Sequence, residues 1–203
     1  MALTSTLLSL LGCEKQDKND PGPYYFLQPQ LPIVAPMKLD RAGAKYSVNF
    51  WVLPDRETKI TYGFFMGFRS VLPADAPIAT IIEVEKFLRQ GDIPLEVKLT
   101  KLDASAEKKL QLFVPPEQVN GALVYVPIHD DLATIRTLTN GDSDEFLAKK
   151  LLDPSKRYSE LEVAALQKAE PGYYRLDVRV LKDNAEAVNL ALELLVSNYY
   201  KGK

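Results

Sequence analysis

The strictest constraint in this chain is a period of two. In Pro94–Lys101, Leu95, Val97 and Leu99 alternate with Glu96, Lys98 and Thr100. In Tyr173–Val180, Tyr174, Leu176, Val178 and Val180 alternate with Tyr173, Arg175, Asp177 and Arg179. Successive side chains of a strand point to opposite faces, so each run has one apolar and one polar face. The apolar face is stable only against a second layer.

The same alternation recurs along the chain. Lys45–Leu53 places Tyr46, Val48, Phe50 and Val52 opposite Ser47, Asn49 and Trp51. Lys59–Arg69 places Ile60, Tyr62, Phe64, Met66 and Phe68 opposite Thr61, Gly63, Phe65, Gly67 and Arg69. The polar Asp55–Thr58 between them predicts an antiparallel hairpin. Gly63 and Gly67 flank Phe65, which predicts close packing or a bulge there. Leu123–Ile128 is split by Pro127 and reads as an edge strand or strand end. Leu161–Ala165 and Val188–Val196 complete the series. Two helices are expected. Thr80–Gln90 carries Ile81, Val84 and Leu88 at helical spacing and stops at Gly91. Ser143–Leu152 opens on Asp142 or Ser143, carries Asp144 and Glu145 in its first turn and Lys149 and Lys150 near its end, and stops before Pro154.

Seven or so short strands with turn signals between them predict a mainly β, antiparallel sandwich spanning 31–203 as a single domain, with one or two short helices in insertions. Pro171-Gly172-Tyr173-Tyr174-Arg175-Leu176 resembles the tyrosine corner of immunoglobulin-like domains. It makes Tyr174 the buried corner residue, with Tyr173 exposed, and makes the sandwich immunoglobulin-like.

The first residues pose a separate question. Ala2–Gly12 is uncharged and leucine-rich, and it ends in Leu10-Leu11-Gly12-Cys13. That length fits a signal-peptide hydrophobic region, and the boundary resembles a bacterial lipobox, in which the chain is cut before an acylated cysteine. Residues 1–12 are then a signal peptide, truncated at its start since Met1-Ala2-Leu3-Thr4 has no basic residue. Residues 13–30 are a lipid-anchored tether, in which EKQDKNDPGP supplies a flexible run. The alternative is a short frayed helix tucked into a groove. Glu14, which is not Asp, favours the outer membrane by resemblance to enterobacterial sorting, so the domain is expected in the periplasm.

Composition narrows the chemistry. Among 203 residues there is one Cys and one His, and the net charge is -2. Intrachain disulfides, cysteine zinc sites and multi-histidine metal sites within one chain are excluded. Basic residues are interleaved with acidic ones, so there is no footprint for nucleic acid. His129, Asp130 and Asp131 are weak metal candidates, with a solvated loop as the alternative. Asn140–Glu145 lacks the Gly and distant Glu of an EF-hand and fits helix capping better. No catalytic residue, metal or cofactor is expected. Trp51 and Phe65 fall on the polar faces of their strands and form a candidate binding patch, unless the Asp130–Ser159 insertion or a helix covers that face as a second core.

Lys38-Leu39-Asp40-Arg41-Ala42-Gly43, Tyr62–Phe68, Ile93-Pro94-Leu95-Glu96-Val97, Pro171–Arg175 and the Lys201 end resemble, over residues 33–203, a family of uncharacterised bacterial lipoproteins of the domain of unknown function 5625 type. The resemblance implies an immunoglobulin-like fold outside the cytoplasm. Some members sit beside secreted toxin genes, which implies an immunity role. The expectation is a non-enzymatic lipoprotein that binds a partner protein, a secreted toxin with the lipase type as the candidate class, and reaches the membrane through Cys13. A structural component of a secretion or envelope assembly is the alternative. The candidate interface is the 130–159 insertion with Asp142, Asp144 and Glu145, together with Trp51 and Phe65.

Overall fold

The computed structural model describes residues 30–203 except 55–62, 91–92, 104–105, 116, 121, 136, 140–142 and 200–203. The expected signal peptide, Cys13 and nearly all of the tether therefore lie outside the described residues. Two antiparallel sheets face each other. One runs β1 (Ile33–Met37), β12 (Leu192–Asn198), β3 (Phe64–Pro73), β10 (Lys156–Leu166) and β9 (Thr137–Thr139), in that order. The other runs β2 (Lys45–Val52), β11 (Gly172–Val180), β4 (Pro94–Leu102) and β5 (Glu107–Leu110), with β8 (Leu132–Thr134) also paired to β4. A separate hairpin joins β6 (Glu117–Val119) to β7 (Ala122–Val124). The helices are α1 (Ile78–Gln90) and α2 (Ser143–Ala148). The chain is a mainly β, antiparallel sandwich.

The alternation builds the core as expected. Leu95, Val97 and Leu99 of β4 and Tyr174, Leu176, Val178 and Val180 of β11 are buried against Phe64, Met66 and Phe68 of β3 and Leu192, Leu194 and Val196 of β12. Phe64 meets Phe50 edge-on at 5.5 Å and Tyr174 edge-on at 6.0 Å, a packing geometry that adds to simple burial. The corner tyrosine is present: Tyr174 is 1% exposed, its Oη donates to the Glu170 carbonyl at 2.6 Å, and the Glu170 N–H donates to Oη at 3.2 Å. Tyr173 is half-buried. In constant-type immunoglobulin domains the last strand is at a sheet edge, whereas β12 lies between β1 and β3.

Several expected elements are rearranged. β2 and β3 do not form a hairpin, since they lie in opposite sheets. Alternation fixes which face a strand buries but not which strand it pairs with. The expected turn and the residues before Gly63 fall outside the described residues. The run from Val188 is not strand at its start. A 3-10 turn covers Ala185–Ala187, Val188 is 46% exposed, and β12 begins at Leu192. α2 stops at Ala148, short of Leu152. The expected edge strand shrinks to β7. The bulge foreseen around Gly63 and Gly67 lies in the partner strand, where the register of β10 on β3 slips between Glu162 and Ala164.

The 130–159 segment is not an appended insertion. β8 pairs with Pro94–Glu96 of one sheet and β9 with Glu160–Glu162 of the other, so the segment closes one side of the sandwich. Ile135 between them is 3% exposed. The following residues cover the outer face of β3. Phe65, Phe146 and Leu195 form a second core, flanked by Leu151, Leu152 and Tyr199. Arg69, expected on a polar face, is 3% exposed there. Its Nε donates to Glu193, its Nη2 donates to the Leu151 carbonyl at 2.8 Å, and its guanidinium lies 4.3 Å from the Tyr158 ring centroid.

Candidate functional site

The residues singled out from sequence separate in space. Phe65 is 0% exposed and packs in the second core, so it offers no surface to a partner. Covering a sheet's second face buries whatever apolar residue stands there, and the segment after β9 does that. Trp51 is half-buried and leans on Tyr173 across the β2–β11 pair, with ring centroids 5.1 Å apart. The two rings thus shield each other as a cross-strand pair. Asp142 lies outside the described residues. Asp144 and Glu145 fall in α2, and their side chains are outside the description.

His129, Asp130 and Asp131 form a turn. Asp130 and Asp131 have φ of 54° and 62°, and the Leu132 N–H donates to the His129 carbonyl at 3.0 Å. Two consecutive positive φ values closed by that bond make a type I′ turn, a position that tolerates Asp. The Asp131 carboxylate accepts from Lys109 Nζ at 2.7 Å, with Lys98 Nζ at 4.0 Å. It is held by cations of the neighbouring strands. Among the described residues, no group of three His, Cys, Asp or Glu side chains converges to hold a metal. Beyond this turn the outer face of β4 and β11 is a neutralised charge grid. Lys98 donates to Glu96 at 2.5 Å and Arg179 Nε lies 2.8 Å from Glu96. The hydrogen bond from Lys98, aided by Arg179, holds the Glu96 carboxyl below its ordinary range.

The surface that sequence reading missed adjoins this turn. Val119, Val124, Val126 and Leu132 are 48%, 43%, 52% and 55% exposed. With Val114, Pro115, Pro127 and Ile128 they line an aliphatic cleft of about 540 Å³, with His129 and Asp130 at its border. The local sequence accounts for it. Between Leu112 and Ile128 the only charged residue is Glu117, in a chain that is 26% charged. The hairpin is tied down at its base by Val114 N–H to the Val126 carbonyl and Ile128 N–H to the Leu112 carbonyl, both 2.8 Å. Asn120-Gly121 between two apolar runs is the strongest short-range hairpin signal. It was available in the sequence, and Asn120 does adopt a positive φ of 51°. What this surface can do is exclude water. Fully burying one Val or Leu side chain stabilises a contact by roughly 1.5–3 kcal/mol, so four half-exposed ones offer several kcal/mol to a matching apolar partner.

No family model matches this chain, and no curated protein matches it. A crystal structure of a protein from Sulfurospirillum deleyianum is similar over 84% of this chain and 98% of that chain, at 11% identity and a TM-score of 0.48. Among the described residues, no helix is long and apolar enough to cross a membrane.

Proposed function

We propose that this chain is a partner-binding lipoprotein of the cell envelope. It is anchored through Cys13 in the periplasm, with the outer membrane favoured. It acts as an immunity protein that neutralises a secreted, lipase-type toxin by stoichiometric occlusion and not by turnover. The observation that carries the binding reading is the exposed, nearly charge-free aliphatic surface of β6–β7 and Leu132. Apolar patches of this kind mark protein interaction sites on soluble domains. The Leu10-Leu11-Gly12-Cys13 boundary and the resemblance to toxin-linked lipoproteins support the rest.

Excising 132–157 would remove β8, β9 and α2, so the surface is best tested by point substitution. Val126→Asp with Leu132→Asp places two carboxylates at positions already half in water. The melting temperature is expected to hold, since exposed substitutions usually change stability by under about 0.5 kcal/mol. If a toxin candidate is encoded beside the gene, protection against it, expressed in the periplasm, is expected to be lost. Affinity should fall by about 30-fold or more, the effect of removing one hot spot of about 2 kcal/mol. A folded double variant that still protects fully would move the interface elsewhere. An intact protein that binds no neighbouring gene product would favour the structural envelope component. Acylation is tested separately: fatty-acid analogue labelling should disappear in Cys13→Ala.

A further inference from the structure

The aliphatic surface of β6–β7 and Leu132 encloses a cleft and is not a flat patch. Its walls are fixed from behind. Gln111 Nε2 donates to the Leu112 and Ile128 carbonyls at 2.8 Å each. The Phe113 N–H donates to the Ala165 carbonyl of β10 at 2.9 Å, and the Ala165 N–H donates back to the Phe113 carbonyl at 2.8 Å. Walls held in this way need little reorganisation to receive a guest, which removes one cost of binding. The volume of about 540 Å³ lies within the ~300–1,000 Å³ of sites that enclose a ligand. Such a space accepts a protruding aliphatic side chain.

The charge at its border is one-sided. Among the described residues that line the cleft, Asp130 is the only Asp, Glu, Lys or Arg. It is exposed, and among the described residues its carboxylate has no hydrogen-bond or ion-pair partner. The cations of the adjoining strands meet its neighbour instead. Lys109 Nζ lies 2.7 Å from the Asp131 carboxylate, and Lys98 Nζ lies 2.5 Å from Glu96 and 4.0 Å from Asp131. The turn also holds Asp130 in place. Besides the bond from the Leu132 N–H to the His129 carbonyl, the Val97 N–H of β4 donates to the Asp131 carbonyl at 2.8 Å. A fixed apolar floor with one fixed polar group at its border sets the orientation of whatever enters.

We infer that the partner enters this cleft with an aliphatic side chain carried next to a lysine or arginine, whose cation meets Asp130. The inference rests on the binding reading above and adds the chemistry of the partner. An acidic group placed against Asp130 is repelled, so apolar segments flanked by Asp or Glu are turned away. The aliphatic lining alone makes no such choice.

Four capped tripeptides test this through the amide chemical shifts of Val124, Val126 and Leu132 in the full chain. Acetyl-Leu-Leu-Lys amide is expected to bind about two- to fivefold tighter than acetyl-Leu-Leu-Gln amide, the range of one exposed ion pair. Acetyl-Leu-Leu-Glu amide should bind more weakly than the glutamine peptide by a similar factor. Acetyl-Gly-Gly-Lys amide should bind at least about tenfold more weakly than its leucine counterpart, since it has no aliphatic side chain to bury beside the lysine. Asp130→Asn removes the charge and keeps a residue that tolerates positive φ, so the turn is retained and the lysine and glutamine peptides should become equal. A lysine advantage that is absent, or that survives Asp130→Asn, would overturn the inference and leave the aliphatic surface as the binding site. A Gly-Gly-Lys peptide as tight as the leucine one would overturn it too, because charge alone would then account for binding. Leucine peptides that move none of these amides at millimolar concentration would overturn the binding reading, and this inference with it.

Discussion

Gly67→Ala is expected to destabilise the fold by more than about 3 kcal/mol, at or beyond the upper end of ordinary overpacking. A Cβ at Gly67 would sit 1.9 Å from the Leu161 carbonyl oxygen, 2.9 Å from its carbon and 3.0 Å from Glu162 Cα. All three are backbone atoms of β10, a strand paired on both sides, with β3 and β9. No side chain can swing aside to make room, so the sheet itself must move. The close approach lies at the slip in register between Glu162 and Ala164. Gly43→Ala is the control. Its φ is 82°, but nothing stands within 4 Å of the added Cβ, so only backbone strain of roughly 1–2 kcal/mol is expected. Urea melts should rank Gly67→Ala well below Gly43→Ala, with similar m-values. A Gly67→Ala midpoint at or above that of Gly43→Ala would mean that β10 yields where its bulge makes it appear rigid.

Gly67 also shows how far the sequence could be read. Two glycines around Phe65 announced that something pressed against that face. They could not say that the neighbour was a bulged partner strand about a hundred residues on. Where one face is buried and the other wet, as in β4 and β11, alternation marks the strands and their faces directly, while the corner role of Tyr174 comes from the resemblance of the Gly172–Leu176 run to a tyrosine corner. Where both faces are buried, as in β3 and β12, the pattern loses its meaning. Phe65 and Arg69 read as outward-facing and are covered by α2 and the turn after it. Leu195 joins that second core while Leu194 and Val196 face the first. Short edge strands such as β8 and β9 have too few residues to show a period, so the segment joining the two sheets read as an insertion. The aliphatic cleft was written plainly, as an Asn-Gly turn in a charge-poor stretch. Pro127 makes the same stretch read as an edge strand or strand end.

Tyr174→Ala should cost about 3–5 kcal/mol, the usual range for a buried aromatic. Tyr173→Ala should cost about 0.5–1.5 kcal/mol, the worth of its ring contact with Trp51. Tyr174→Phe isolates the hydroxyl. It keeps the ring between Phe50 and Phe64 and removes the donor to the Glu170 carbonyl, a loss of about 1–1.5 kcal/mol at neutral pH. Burial pushes the Tyr174 hydroxyl up from 10.0 to about 12. The folded state therefore favours the neutral phenol. Below pH 10 the phenol is neutral in both states and its contribution is fully present. Between pH 10 and 12 the unfolded chain ionises while the folded one resists, and stability falls by up to about 2–3 kcal/mol, at ~1.4 kcal/mol per unit. Phe has no such loss. Tyr199, raised by its own burial beside Glu162, titrates equally in both proteins and cancels from the comparison. The wild type should thus be the more stable protein at neutral pH, and the two curves should cross near pH ~11, where the alkaline loss equals the hydrogen bond's worth. A difference that stays constant from neutral pH to pH ~11.5 would show that the corner hydroxyl ionises as readily in the folded protein as in the unfolded chain.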